Sequence, residues 1–130
     1  MIEFFIRERV QPLGTRKGQT VYYAMPKGTH VLENETVVRR IVQRTSLAAG
    51  DVANTLISLE EIVCEALSNG DSVELGRLGT ISIIVSSKMM DSREEVTVED
   101  ALNRPKLMYH PTKPMLKALG KIVMRIDHKG

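Results

Sequence analysis

Apolar and polar residues change period several times along the chain, and each change marks an element. Ile2, Phe4 and Ile6 alternate with Glu3, Phe5 and Arg7, the period of two expected of a strand. Residues 19–25 are β-prone again, and the basic, turn-like stretch 12–18 lies between. Together they predict a β-hairpin with a long loop, ended by Pro26-Lys27-Gly28. Asn34 is a favourable N-cap. After it Val37, Val38, Ile41 and Val42 fall on one side while Arg39, Arg40 and Gln43 face away, which predicts a first helix. Residues 45–50 connect it to a second helix over about 51–68. There Val52, Leu56, Leu59, Val63 and Ala66 follow the helical period, and Ala53, Ile57, Ile62 and Leu67 widen the stripe. A helix apolar over more than half its circumference is buried on two sides. In a chain this small the second side predicts a partner subunit, with Val52, Leu56, Leu59, Val63 and Leu67 at the dimer interface.

Asn69-Gly70 signals the helix end. Two strands follow, over about 72–76 and 79–86, around the corner Gly76-Arg77-Leu78-Gly79. Residues 87–103 are polar and acidic with little periodicity. Arg104 to Tyr109 reads as a returning strand. Thr112 caps a short third helix over 113–119, with Pro114 in its permissive first turn. Beyond Gly120, Ile122, Met124 and Ile126 alternate, so a final strand is expected. The pattern is α+β, with no internal repeat, and 130 residues fit one domain or one domain with an appended element.

Composition narrows the function classes. The chain is 42% hydrophobic and 26% charged, as soluble globular proteins are. No apolar run approaches a membrane span, and residues 1–5 show no signal-peptide pattern, so a cytoplasmic location is expected. The one cysteine, Cys64, excludes an intrachain disulfide and a cysteine zinc site; its apolar neighbours predict a buried, inert thiol. His30, His110 and His128 have no ligand spacing, no nucleophile has a base nearby in sequence, and no glycine-rich phosphate loop is present. No catalytic residue, metal, cofactor or small-molecule substrate is therefore expected. Gly76-x-x-Gly79 matches the KH-domain loop on paper, but that loop joins helices and this one joins strands.

Charge changes the picture by its distribution rather than its sum of +2. Residues 104–130 carry seven basic side chains against one acidic, and residues 1–30 five against two. Residues 31–79 carry four against eight, and residues 80–103 two against five. Basic charge at both ends of the chain suggests a polyanion-facing surface.

Residues 73–84, Val-Glu-Leu-Gly-Arg-Leu-Gly-Thr-Ile-Ser-Ile-Ile, resemble the most constant stretch of the HU/IHF family of bacterial histone-like DNA-binding proteins. The helix exit Leu67-Ser68-Asn69-Gly70-Asp71-Ser72 and the return Arg104-Pro105-Lys106-Leu107-Met108-Tyr109-His110-Pro111, followed by Lys113, Leu116 and Lys117, are similar to that family as well. The corner departs by one extra residue between its glycines. The resemblance spans about residues 33–120. It implies an α+β, HU/IHF-like intertwined dimer body: two helices, a three-stranded sheet with a β-arm, and a short C-terminal helix. The HU-like DNA-binding domain is then drawn at 31–120 with its arm at 86–103. Residues 1–30 form an added N-terminal β-hairpin and residues 121–130 a C-terminal strand, able to pair with each other. This layout is similar to longer HU-like proteins of Bacteroides-type bacteria.

The resemblance also implies a mechanism: a basic saddle neutralises phosphates, two β-arms wrap the minor groove, and a proline at each tip wedges between bases. Arg104, Lys106, Lys113, Lys117 and Lys121 fall on the saddle elements, with Arg77 in the corner. Lys113 and Lys117 share a helix face. The arm holds no proline, and sets Lys88 and Arg93 against Asp91, Glu94, Glu95, Glu99 and Asp100. Met89 or Met90 is the one candidate for an apolar wedge, and a Met pair in a disordered or core-packed loop is the favoured reading. The expectation is a homodimeric, nucleoid-associated architectural protein that binds double-stranded DNA without sequence preference and bends it poorly. The alternative is an HU-fold dimeric scaffold or protein-interaction module that has lost tight DNA binding. A third reading is a single-strand RNA binder that uses Tyr22 and Tyr23.

Overall fold

The computed structural model describes residues 1–129. In chain order the elements are β1 (Ile2–Val10), β2 (Thr20–Pro26), α1 (Asn34–Arg44), α2 (Ala49–Ser68), β3 (Val73–Glu74), β4 (Gly79–Ile84), α3 (Val98–Ala101), β5 (Lys106–Pro111), α4 (Lys113–Leu119) and β6 (Met124–Asp127). They form two compact units. Residues 34–116 make one; the segments before Asn34 and from Lys117 onward make the other.

The terminal unit is a mixed three-stranded sheet of order β2-β1-β6. β1 pairs antiparallel with β2, from Phe4↔Pro26 to Val10↔Thr20, and parallel with β6, from Ile2↔Met124 to Phe5↔Asp127. Because strand side chains alternate, Ile2, Phe4, Ile6, Ala24, Met124 and Ile126 share one face. The other carries Glu3, Phe5, Arg7, Arg9, Tyr23 and Arg125. Lys27 donates to Asp127 at 2.8 Å and lies 4.0 Å from Glu3, which also meets Arg125 at 3.4 Å.

The central unit packs α1 on α2 and pairs β3-β4-β5 antiparallel. α2 begins at Ala49, slightly ahead of the sequence estimate, because the Asp51 carboxylate accepts from the Ala48 N–H (3.4 Å). The strands about the corner are shorter than expected, since residues 76–78 coil into a 3-10 turn. Gly76 has φ +58 and Gly79 φ +126. A Cβ on Gly79 would collide with the His110 carbonyl oxygen, so only glycine lets β4 start this close to β5.

Two expectations need correction. Residues 86–103 do not form an extended β-arm. Ser87↔Leu102 is a single bridge, and beyond it the chain coils into a 3-10 turn over Arg93–Glu95 and the four-residue α3. Thr97 Oγ1 accepts from the Asp100 N–H (3.1 Å), and Glu99 and Asp100 sit in the first turn. That capping chemistry favours a helical turn over a ribbon. Ala101, 0% exposed, ends α3, and its carbonyl accepts from the Lys88 N–H (2.7 Å). Second, Cys64 is exposed, because it lies on a flank of α2 that none of the described residues covers.

Burial is sparse throughout. Among the described residues, Val52 (3% exposed) and Ala101 are the buried hydrophobic side chains. The chain exposes 11369 Å². Two compact bodies of these lengths would together expose roughly 8,000 Å².

Candidate nucleic-acid interface

The corner positions its cation through backbone contacts. Leu75 N–H donates to Gly79 O (2.7 Å) and Leu78 N–H to Leu75 O (3.2 Å), closing the turn. The Thr112 hydroxyl, at the threshold of α4, donates to Arg77 O (2.6 Å), and the Tyr109 hydroxyl donates to Leu78 O. Arg77 is thereby tied to the end of β5 and the start of α4.

Lys106 opens β5. The register Ile81↔Tyr109 and Ile83↔Leu107 leaves Lys106 on the face of Thr80, Ser82 and His110, where Ser82 Oγ and His110 Nε2 lie 2.9 Å apart. The opposite face is apolar, built from Val73, Ile81, Ile83, Leu107 and Tyr109. Arg104 precedes β5. Lys113 and Lys117 are one turn apart on α4, and Lys121 follows it.

Lys88 and Arg93 sit in the coiled segment. The Lys88 N–H donates to Ala101 O (2.7 Å) at its root, and Asn103 bonds Ser86 through both backbone (2.9 Å) and side chains (2.8 Å). These contacts fold the segment back on itself at its root. Met89 is fully exposed at this bend.

All eight cations expected from the sequence are exposed. Among the described residues the three ion pairs involve only Lys27, Arg125, Glu3 and Asp127. None of the eight has a carboxylate within 4 Å, so each keeps its charge free for an external anion. Phosphate is the natural ligand for such a set.

The expected dimer residues divide. Val52 is spent inside the chain, and Leu56, Val63 and Leu67 are half-buried there. Leu59 (37% exposed) is open on one flank, beside Ile62 (59%); Ile57 (53%) and Cys64 are open on the other. Of the residues that sequence periodicity named, Leu59 is open, and Ile57, Ile62 and Cys64 add further uncovered positions on α2.

Tyr22 and Tyr23 do not make a shared stacking platform. They are consecutive on β2, so they point to opposite faces: Tyr23 is level with Arg7 and Tyr22 with Glu8. No cluster of three or more histidine, cysteine, aspartate or glutamate side chains among the described residues could hold a metal ion, and no helix there is long and apolar enough to cross a membrane.

A family model, described as HU domain fused to wHTH, Ig, or glycine-rich motif, matches residues 1–125. The chain belongs to this HU-HIG family. The match takes in the hairpin and the start of β6 as well as the central unit, so the two added β segments are part of the HU-HIG pattern. Among solved structures, the chain is similar to a protein of Bacteroides vulgatus ATCC 8482 provisionally assigned as a bacterial DNA-binding protein. The TM-score is 0.59 at 15% identity, over 96% of this HU-HIG chain and 47% of that one. The HU-HIG chain thus spans about half the length of that neighbour, and the likeness is one of fold. A search of curated proteins gives no match.

Proposed function

We propose that this HU-HIG domain is a non-enzymatic, architectural double-stranded-DNA-binding protein. It grips the phosphate backbone without sequence preference and acts as a homodimer in the nucleoid. The observation that carries this reading is the set of exposed, unpaired cations at Arg77, Arg104, Lys106, Lys113, Lys117 and Lys121, on elements that the HU resemblance gives to the DNA saddle. The provisional DNA-binding assignment of the structural neighbour points the same way. Dimerisation is supported by the exposed surface, about 3,000 Å² more than two compact bodies of these lengths would show. Buried on both partners, that excess sums to about 6,000 Å², at the upper end of obligate interfaces; such an interface would cover the open flanks of α2 and the apolar face of β3-β4-β5. Bending is expected to be weak, because the segment after β4 is folded back, acidic and without proline.

The test is a salt titration of duplex binding. Each neutralised phosphate contributes about −0.9 to the slope of log affinity against log salt. Three to six contacts predict a slope of roughly −3 to −5, and Lys113→Glu with Lys117→Glu removes most of the binding. A slope near zero would overturn the reading. A sharp kink in a fluorescence bend assay would overturn the weak-bending part.

A second reading, a dimeric scaffold that binds protein, is favoured by one observation. Phe4, Ala24, Met124 and Ile126 line a shallow apolar cleft on the terminal sheet. That reading predicts the near-zero slope.

A further inference from the structure

The hairpin separates charge across its two faces. At its base, Lys27 and Arg125 are consumed by Glu3 and Asp127. Toward its tip, Arg7 and Arg9 lie on one face of β1, two residues and so roughly 7 Å apart. That step is comparable to the one between successive phosphates of a nucleic-acid strand. The carboxylate between them, Glu8, points to the other face, level with Tyr22. Tyr23 and Val21 are the cross-strand neighbours of Arg7 and Arg9, so no anion intervenes. Arg7 also lies over the Phe5 ring, 5.3 Å from its centroid, which restrains its stem.

The loop beyond is built, not loose. Gln11 N–H donates to Gln19 O (3.0 Å), Gly18 N–H to Gln11 O (3.0 Å) and Lys17 N–H to Gly14 O (3.2 Å). Arg16 and Lys17 stand at its turn, both exposed. None of these four cations has a carboxylate partner among the described residues.

We propose that this end of the hairpin, Arg7 and Arg9 on the strand with Arg16 and Lys17 in the loop beyond, is a second duplex-DNA phosphate contact on the unit that the saddle residues before Lys117 do not share. It rests on the DNA-binding reading above and widens its footprint. Duplex rather than single-stranded DNA is the occupant, because the face offers a row of cations and only one open aromatic, Tyr23, where single-strand sites stack successive bases.

The test uses the full chain, a fluorescently labelled mixed-sequence duplex and the matching single strand. Arg7, Arg9, Arg16 and Lys17 are changed together to Gln. The expected result is at least a tenfold loss of duplex affinity at low salt and a salt slope shallower by about 2 to 4, roughly 0.9 for each phosphate contact removed. Unchanged far-UV dichroism confirms that the hairpin variant is folded. As a bulk-charge control, Arg39, Arg40 and Arg44 on α1 are changed to Gln; an equal loss there overturns the proposal. So does a variant that keeps wild-type duplex affinity while losing the single strand. If the hairpin variant matches wild type while Lys113→Glu/Lys117→Glu still abolishes binding, this second contact fails and the saddle stands. If the wild type shows no salt dependence, both fail.

Discussion

Gly79→Ala tests the corner most directly. Gly79 combines φ +126 with ψ −161, a region essentially reserved for glycine, at a cost of about 1–3 kcal/mol for any other residue. The new Cβ would also meet the His110 carbonyl oxygen and approach the Tyr109 ring to 3.0 Å. Backbone cannot move aside as a side-chain tip can, so β5 must shift, adding about 1–3 kcal/mol by the scale of overpacked cores. The loss is then roughly 2–6 kcal/mol, against a typical total of about 5–15. Gly76→Ala is the internal control. Its φ of +58 is left-handed, yet nothing lies within 4 Å of a Cβ there, so it should cost only about 1–2 kcal/mol. Urea unfolding followed by far-UV dichroism, at one protein concentration, separates the two. With a slope of about 1–2 kcal/mol per molar urea, the mid-range losses of about 4 and 1.5 kcal/mol place the Gly79→Ala midpoint roughly 1–2.5 M below that of Gly76→Ala. Equal midpoints would refute the claim that β4 and β5 approach too closely for a side chain.

Three further outcomes are expected. Ile62→Glu, on an open flank of α2, should shift the chain from dimer to monomer in sedimentation, and should raise the alkylation rate of Cys64 toward that of a free thiol; a wild-type Cys64 already fully reactive at high concentration would argue against a covered α2. Thr97→Ala should cost about 1 kcal/mol through the lost cap and increase amide exchange across residues 98–101, whereas a purely disordered segment would show no change. The hydrogen bond from the Lys27 ammonium, with a second from the Lys129 N–H, holds the Asp127 carboxyl below its ordinary value. A depressed carboxyl stabilises the fold above the ordinary carboxylate range and loses that contribution as pH falls through its folded value. The terminal sheet should therefore loosen in acid, and Asp127→Asn should flatten that dependence in a pH series of thermal melts.

Periodicity made the helices and most strands legible. The apolar stripes of α1 and α2 and the alternation of Ile2, Phe4 and Ile6 are period signals that need no tertiary context. The coiled segment after β4 was not legible as such. Its cue was Thr97 followed by Glu99 and Asp100, a capping pattern hidden within what reads as an acidic loop. What buries Ala101 is a long-range contact that no local window contains. The same limit explains Tyr22 and Tyr23: adjacency in sequence suggests one aromatic patch, and the strand register divides it. The cations of the proposed saddle were legible by residue type and order. Their freedom from carboxylates was not, because it depends on which chain segments meet.

The parallel pairing of β1 with β6 imposes an order of assembly. Ile2 meets Met124, so this contact closes a loop that holds the entire central unit, and a two-stranded β1–β2 ribbon alone is marginal in water. Closing so long a flexible loop costs about 4 kcal/mol in chain entropy beyond the constant term, against about 2 if only the linkers flanking residues 34–116 remain flexible. Prior folding of the central unit thus makes the third strand easier to dock. During synthesis the hairpin emerges before β6, so in the interval β1 presents an unpaired edge that a second nascent chain can fill.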